Sequence, residues 1–236
     1  MTSRKFQIGS GQINHAFTLV EMLVVIAVMS ILAAMIFPVT GAVKRRATIA
    51  RAQAELAQIE TAIDRYKAKY GFYPPDNRGN PAINQLYFEL LGTVLVNIGN
   101  VDFYETLDGA TKARADTLTT TFGPGVAGFI NCTRGRGGGD EGTSAVNFLP
   151  GLKPTQVAEL KEGDPSIKLL VCSINWPQDH PYQPVQSHIG INPWRYVSSS
   201  PTNNPGSYDL WVDLFIRGKT NRISNWSRQP QIVAIP

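Results

Sequence analysis

The feature that most constrains this chain is an apolar run at residues 16–43 that contains a single acidic side chain. Between Phe17 and Phe37, Glu21 is the one ionisable residue. As an α-helix these residues would extend about 31 Å, at roughly 1.5 Å per residue, which matches the hydrocarbon thickness of a bilayer. The sequence therefore predicts a membrane-spanning helix.

The position of Glu21 inside this run is unusual. A carboxylate in a spanning segment costs about 2.5–3.5 kcal/mol on insertion scales, and less near the end of the segment, so it is retained mostly where it has a partner. We therefore expect Glu21 to bind a cation.

The string HAFTLVEMLVVIA at residues 15–27 resembles the leader and N-terminal helix shared by type IV pilins and the pseudopilins of type II secretion. In that family a membrane peptidase cuts just before the phenylalanine and methylates the new amine. The resemblance implies a leader peptide at 1–16, cleavage between Ala16 and Phe17, and N-methylation of Phe17. It also implies an assembly salt bridge between Glu21 and the N-terminal amine of a neighbouring subunit. The family usually has Gly where this chain has Ala16.

The basic residues are concentrated directly after the apolar run. Residues 44–70 hold seven Lys and Arg against three acids, whereas thirteen bases face fourteen acids from residue 71 onward. This placement favours contact with lipid headgroups over nucleic-acid binding. We therefore predict membrane lipid as a partner and no nucleic-acid partner.

The charges that flank the run conflict with the resemblance over orientation. Two bases precede the run and four follow it closely, so a count of bases alone would leave the C-terminal part in the cytoplasm. The family topology is the reverse. The resemblance implies a single-pass protein of the inner (cytoplasmic) membrane, with its N-terminus inside and its C-terminal domain periplasmic or otherwise extracytoplasmic.

The transmembrane and assembly helix, 17–43, is followed by a second helical pattern. Pro38 predicts a kink, or the membrane helix simply ends there. Across 44–70, apolar residues recur every three or four positions and predict an amphipathic stem helix that stops before Gly71. Such a stripe could also mark a coiled coil, but its short length favours packing against a sheet. Its members are Ile49, Ala52, Leu56, Ile59, Ile63, Tyr66 and Tyr70.

Residues 71–236 are long enough for one globular domain with its own core. We predict a long irregular insertion at about 80–190. Within it, an apolar stretch at 83–96 predicts a helix, residues 108–122 predict a second short helix, and the Gly-rich segment 134–142 predicts a loop.

The remaining part of the chain is β-prone. Residues 167–174 have strand character, and residues 191–226 contain short β-prone runs that are separated by Pro, Gly and Asn turns. This pattern predicts an antiparallel meander at about 191–226.

The C-terminal runs resemble the pattern of the major pseudopilin G, in NPWRY at 192–196, NPGSYDLW at 204–211 and ISNW at 223–226. The resemblance implies an α+β, type IV pilin-like fold, with a long N-terminal helix packed on a small antiparallel sheet. The pattern normally includes a calcium loop. Here residues 212–222 offer one carboxylate, Asp213, among three cations, whereas calcium takes six to eight oxygens. We predict that the calcium site is lost and that the chain holds no metal or cofactor.

No coherent catalytic set is visible, so we predict that the protein is not an enzyme. Asp179, His180 and His188 lie in a Pro-rich run that favours a solvent-facing loop over a metal site. Cys132 and Cys172 are the two cysteines. In an exported domain they would form either a disulfide or two buried free thiols, and the sequence leaves both open.

The resemblance implies a structural subunit of a type II secretion pseudopilus, assembled through its N-terminal helix after prepilin peptidase processing and supporting protein export. Implied partners are copies of itself, other pseudopilins, the prepilin peptidase, and the inner-membrane assembly platform with its ATPase. One alternative is a type IV pilus pilin used in adhesion, motility or DNA uptake. Another, of a different class, is a membrane-anchored binding module or hydrolase with a site in the 80–190 region.

Overall fold

The computed structural model describes residues 18–134, 144–160 and 167–235, without the side chains of 34–40. Its contacts divide the chain into two compact units, Met1–Arg46 and Ala47–Pro236. The predicted leader, the cleavage pair Ala16 and Phe17, and most of the predicted 134–142 loop lie outside the described residues, so those interpretations stay predictions.

The first helix, α1, runs from Leu19 to Tyr70. Its described side chains in the first unit are largely apolar and exposed, among them Leu19, Met22 and Ile26. Within the described part of the chain, no helix combines the length and apolar character needed to cross a membrane. α1 continues past Pro38 to Tyr70, so the alternative that the helix ends at Pro38 is wrong. The predicted spanning segment and the predicted kink stay predictions.

The second half of α1 belongs to the same compact unit as the C-terminal domain. The predicted apolar stripe is confirmed: five of its members are buried and Ile49 and Tyr70 are partly buried. A spacing of three and four places these side chains on one helix face, so they enter the core together. The helix ends at Tyr70: the Gly71 N–H donates to the Lys67 carbonyl at 2.8 Å, and the Gly71 φ of 84° then turns the chain out of the helix.

The segment that follows, predicted as a long irregular insertion, contains short helices and strands where it is described, and the insertion itself stays a prediction. Its helices and strands share the core cluster with α1. Short 3₁₀ turns occur at Ala115–Thr117 and Pro154–Gln156. The other elements are α2 Leu86–Leu91, β1 Thr93–Ile98, β2 Val101–Thr106, β3 Lys112–Arg114, α3 Leu118–Phe122, β4 Cys132–Arg134, β5 Val157–Leu160 and β6 Ile167–Leu170.

These strands form a four-stranded sheet of order β3-β2-β1-β4 and a separate β5-β6 pair. The β1–β4 pairing is parallel and the others are antiparallel. The helix predicted over 83–96 is wrong beyond Leu91, because Gly92 (φ 75°) ends α2 and the β-branched residues after it favour a strand. The short helix predicted within 108–122 is confirmed as α3, and the strand predicted at 167–174 is confirmed as β6 over its first four residues.

The predicted C-terminal meander is confirmed and continues past residue 226. Its strands are β7 Arg195–Val197, β8 Asp209–Ile216, β9 Lys219–Ser224 and β10 Ser227–Val233, in the order β10-β9-β8-β7 with antiparallel pairing throughout. Leu210, Val212 and Leu214 of β8 are fully buried and belong to the same core cluster as the α1 stripe. A helix packed with mainly antiparallel sheets is therefore the architecture of this unit.

Candidate functional site

The start of α1 is held by a reciprocal pair of hydrogen bonds between Thr18 and Glu21. The backbone N–H and the hydroxyl of Thr18 each donate to Glu21 Oε2 at 2.8 Å, and the Glu21 N–H donates to Thr18 Oγ1 at 3.3 Å. This is a capping box, which satisfies amide groups that the first helical turn leaves unpaired. Sequence analysis missed this role, although the T-x-x-E spacing could have indicated it.

Glu21 is exposed, and so are the apolar side chains around it, Leu19, Val20 and Met22. The capping box thus presents a carboxylate within an exposed apolar helix surface. A cation brought to this surface would meet a negative charge whose position is already fixed. The predicted partner, the amine of Phe17 from another copy, lies outside the described residues, so the salt bridge stays a prediction.

A second acid, Glu89 of α2, is 0 % exposed and joins three elements. Its Oε1 accepts from the Ile130 N–H at 2.9 Å, and its Oε2 accepts from the Asn131 N–H and the Tyr66 hydroxyl, each at 3.0 Å. Burial raises the pKa of Glu89 above its usual value, although these three donors act in the opposite direction. The carboxylate anchors the segment before β4 to α2 and α1.

The neighbouring Asn131 extends this junction. Its Oδ1 accepts from the Tyr70 hydroxyl at 2.8 Å and from the Val146 N–H at 2.9 Å. Its Nδ2 donates to the carbonyls of Glu89 and Val146 at 2.7 Å each. Together Glu89 and Asn131 fix the inserted sheet to the stem helix. Nothing in the local sequence around either residue predicts this, because their partners are far apart along the chain.

Glu55 lies outside the apolar stripe of the stem helix, yet it is buried. It is 8 % exposed, and its carboxylate accepts from the Ser173 N–H at 3.1 Å and from the Ser173 hydroxyl. The thiol of the adjacent Cys172 is fully buried; burial, and then the charge of Glu55, raises its pKa well above the usual value. Glu55 therefore ties the stem to the chain that leaves β6.

The two thiols are free and buried, so the structure has no Cys132–Cys172 disulfide. Cys132 begins β4 in the first sheet, whereas Cys172 follows β6. Burial raises the pKa of the Cys132 thiol as well. Of the two arrangements that the sequence leaves open, the structure contains the pair of buried free thiols.

The β8–β9 hairpin occupies the stretch where the resemblance places a calcium loop. Asp213 accepts from Arg222 Nε at 2.8 Å and from Arg222 Nη2 at 3.0 Å, and Arg195 Nη1 lies 3.6 Å from Asp213 Oδ2. The hydrogen bond to Asp213 raises the pKa of Arg222 further. In the described ranges, no group of three or more His, Cys, Asp or Glu side chains could hold a metal ion. Loss of the calcium site stays a prediction.

The two histidines considered as ligands make separate contacts. His180 packs edge-on against Trp176 and Phe215, with ring centroids 5.3 and 4.8 Å away, and its Nδ1 accepts from the Tyr182 N–H at 3.1 Å. His188 Nδ1 lies 3.0 Å from the Gln186 carbonyl. His180 also lines an open groove of about 1000 Å³ beside β10, where its neighbours are mostly apolar or aromatic.

Comparison with known proteins first defines a class for the start of the chain. Residues 12–37 match the family described as the prokaryotic N-terminal methylation motif, and this range includes Ala16, Phe17 and Glu21. The chain therefore has a prepilin-type N-terminal segment.

Two relatives then point to one kind of prepilin. The chain is 32% identical over 74 residues to type II secretion system core protein G of Pectobacterium carotovorum subsp. carotovorum, covering 31% of this chain and 47% of that protein. It is 35% identical over 66 residues to type II secretion system core protein G of Escherichia coli (strain K12), covering 28% and 46%. It thus spans about half the length of these relatives. No solved structure matches the chain. The motif and both similarities confirm the predicted resemblance to pseudopilins.

Proposed function

We propose that this chain is a structural, non-catalytic subunit of a type II secretion pseudopilus that supports protein export. It is anchored in the inner membrane, cut between Ala16 and Phe17 by a prepilin peptidase, and assembled through its N-terminal helix. The observation that carries the proposal is the methylation motif over residues 12–37 with Glu21 held at the first turn of α1. The similarity to core protein G supports the choice of pseudopilus over type IV pilus.

The geometry of the helix start supports assembly through a charge pair. An exposed carboxylate among exposed apolar side chains is stabilised by a cation when membrane or protein covers that surface, because a lone charge is costly in an apolar medium. The amine created at Phe17 of a neighbouring copy is such a cation. The capping box restricts Glu21 before that amine arrives, so less conformational entropy is lost on pairing.

The exposed apolar surface of α1 supports contact with a membrane and with other helices. Contiguous apolar surfaces of this kind mark membrane or protein interaction sites. In the membrane-bound precursor, we assign this surface to contact with lipid. In the assembled subunit, we assign it to contact with copies of itself and other pseudopilins. The assembly platform and its ATPase drive the transfer between the two states, and the C-terminal domain lies on the extracytoplasmic side.

Mass spectrometry of the protein isolated from its host tests processing directly. The expected N-terminal peptide begins with a methylated Phe17 and lacks residues 1–16. A protein that still carries Met1 would refute the proposal. An export assay in a strain that lacks the gene tests the pathway: secretion of the substrate protein should fail, and pilus-dependent motility should remain.

Two variants of one residue separate charge from capping. Glu21→Gln keeps an oxygen that can accept from the Thr18 N–H but removes the charge, whereas Glu21→Ala removes both. We expect both variants to be expressed and processed but neither to form filaments in a shearing assay. Filaments at the wild-type level from Glu21→Ala would contradict the proposed assembly, and filaments from Glu21→Gln alone would assign the role to the cap.

A further inference from the structure

The hairpin that replaces the expected calcium loop is too short to surround an ion. β8 and β9 are joined by Arg217 and Gly218 alone, with φ values of 52° and 75°. Left-handed conformations at both positions are typical of the tight turn that joins two adjacent antiparallel strands. The ladder continues to the turn, with Ile216 opposite Lys219. The backbone between Val212 and Arg222 is therefore used for strand pairing.

The oxygens of Asp213 are already bound. Each carboxylate oxygen accepts a hydrogen bond from Arg222, and the backbone carbonyl accepts from Asn192 Nδ2 at 3.0 Å. The next acid along the strand, Asp209, accepts four N–H groups from Thr202, Asn203 and Asn204. These residues do not fit a calcium ion, which requires several free oxygens, some of them charged.

The charge around Asp213 also opposes a metal ion. Arg222 on β9 lies directly opposite Asp213. Arg195 on β7 lies opposite Trp211, and its side chain reaches Asp213 from there. Two guanidinium groups thus face one carboxylate that is mostly buried. A divalent cation here would repel both groups and would have to displace a bidentate pair, the strongest common form of ion pair in proteins.

We infer that the guanidinium groups of Arg222 and Arg195 supply the positive charge that a calcium ion would otherwise bring, so this C-terminal sheet is held without metal and does not respond to calcium. The three residues sit on β7, β8 and β9, and they link all three strands through one carboxylate. Arg222 contributes more to this linkage than Arg195, because it makes both hydrogen bonds to the carboxylate and its guanidinium lies 5.7 Å from the Trp211 ring. This inference concerns how the domain is held, and it goes beyond the proposed function.

Calcium titration of the full-length chain in mild detergent tests the inference without any substitution. The melting temperature should be the same in millimolar calcium chloride as in excess chelator, and calorimetric titration should show no stoichiometric heat. A clear rise in melting temperature with calcium, or a saturable heat of binding, would overturn the inference.

Substitution then tests the arginines. Arg222→Met should lower the melting temperature by about 5–10 °C, because it leaves a mostly buried carboxylate short of its main partner. Lys219→Met is the matched control: it removes the same charge from an exposed position on the same strand, and it should change the melting temperature little. Equal decreases in melting temperature in the two variants would contradict the proposed role of Arg222.

A double variant keeps the test decisive if Arg222→Met fails to fold. In a chain that also carries Arg195→Met, Asp213→Leu with Arg222→Met removes all three charges, and this double variant should be more stable than Arg222→Met in the same chain because no charge is left unmatched. Arg222→Lys should fall between wild type and Arg222→Met, since a lysine cannot form the bidentate contact. A double variant that is no more stable than Arg222→Met would refute coupling between the two residues. Filament assembly is measured separately, so a negative result for the two arginines does not affect the proposed function.

Discussion

Replacing Glu89 by Gln changes one oxygen into an amide nitrogen at the junction of α2, α1 and the segment before β4. The carboxylate accepts from two backbone N–H groups and one hydroxyl, one bond on Oε1 and two on Oε2. The new NH₂ group can only donate, so it must face a donor in either orientation. The less costly orientation points it at the Ile130 N–H and keeps the bonds to Asn131 and Tyr66.

The magnitude follows from this count. One buried backbone N–H left without an acceptor costs about 1–3 kcal/mol, so Glu89→Gln should lower the free energy of unfolding by about that amount. Glu89→Leu leaves all three donors unpaired and should cost more, about 3–6 kcal/mol from the same reasoning. For a unit of this size, the Gln variant should melt about 2–12 °C below the wild type.

Urea unfolding of the full-length chain at pH 7, followed by tryptophan fluorescence, measures these differences. Glu105→Gln provides the control, since Glu105 lies on β2 of the adjoining sheet and forms a partly exposed ion pair with Lys112 at 3.3 Å. Loss of this ion pair should lower the free energy of unfolding by less than about 1 kcal/mol. If Glu89→Gln is as stable as Glu105→Gln, the carboxylate does not anchor this junction.

The difference in stability between wild type and Glu89→Gln should also depend on pH, in a direction that the structure defines. The folded-state pKa of Glu89 is raised, so the folded chain keeps a proton that the unfolded chain has lost. Its contribution to stability is then fully present below the unfolded pKa of about 4.5 and is lost as pH rises through the folded value. The stability deficit of Glu89→Gln relative to wild type should therefore widen as pH falls from neutrality towards about 4.5. A deficit that narrows over this range would refute the direction of the shift.

Three further predictions concern other contacts. Thr18→Ala removes the cap of α1 and should weaken its first turn by about 1 kcal/mol; amide hydrogen exchange in that turn should speed up about fivefold. Cys132 and Cys172 should resist a thiol reagent at pH 7 in the folded chain and should both react after unfolding without reductant; reaction only after reduction would indicate a disulfide. Tyr196→Phe removes a hydrogen bond of 2.9 Å to the Pro74 carbonyl and should cost about 0.5–1.5 kcal/mol in urea unfolding; no change would show that this bond does not stabilise the turn after α1.

The parts of the fold that sequence could predict are those set by local spacing. The α1 stripe was predictable because Ala52, Leu56, Ile59 and Ile63 recur at the helical period, and all four are buried. The C-terminal meander was predictable because Pro, Gly and Asn turns separate its strands. Local patterns of this kind require no knowledge of distant parts of the chain.

The inserted sheet was not predictable because its pairing is not local. Thr93–Ile98 continues the apolar character of α2, so periodicity alone favoured one long helix; Gly92 is the signal that separates them. The parallel pairing of β1 with β4 joins Thr93 to Cys132, and no turn motif between these strands specifies it. The burial of Glu55, which lies outside the apolar stripe, was not predictable because the domain covers more of the stem helix than one stripe.

The hydrogen bonds between Glu55 and Ser173 and between Gln53 Nε2 and the Arg228 carbonyl at 3.3 Å have a consequence during synthesis. The ribosome releases the stem helix long before it makes either partner, since Gln53 and Arg228 are 175 residues apart. Until β8 and β10 emerge, part of the buried side of the stem lacks the C-terminal sheet that covers it. A polypeptide that stops short of those strands would keep this apolar surface in contact with water, where chaperones and proteases recognise it. Exposure of this surface would therefore distinguish truncated polypeptides from those that contain the C-terminal sheet.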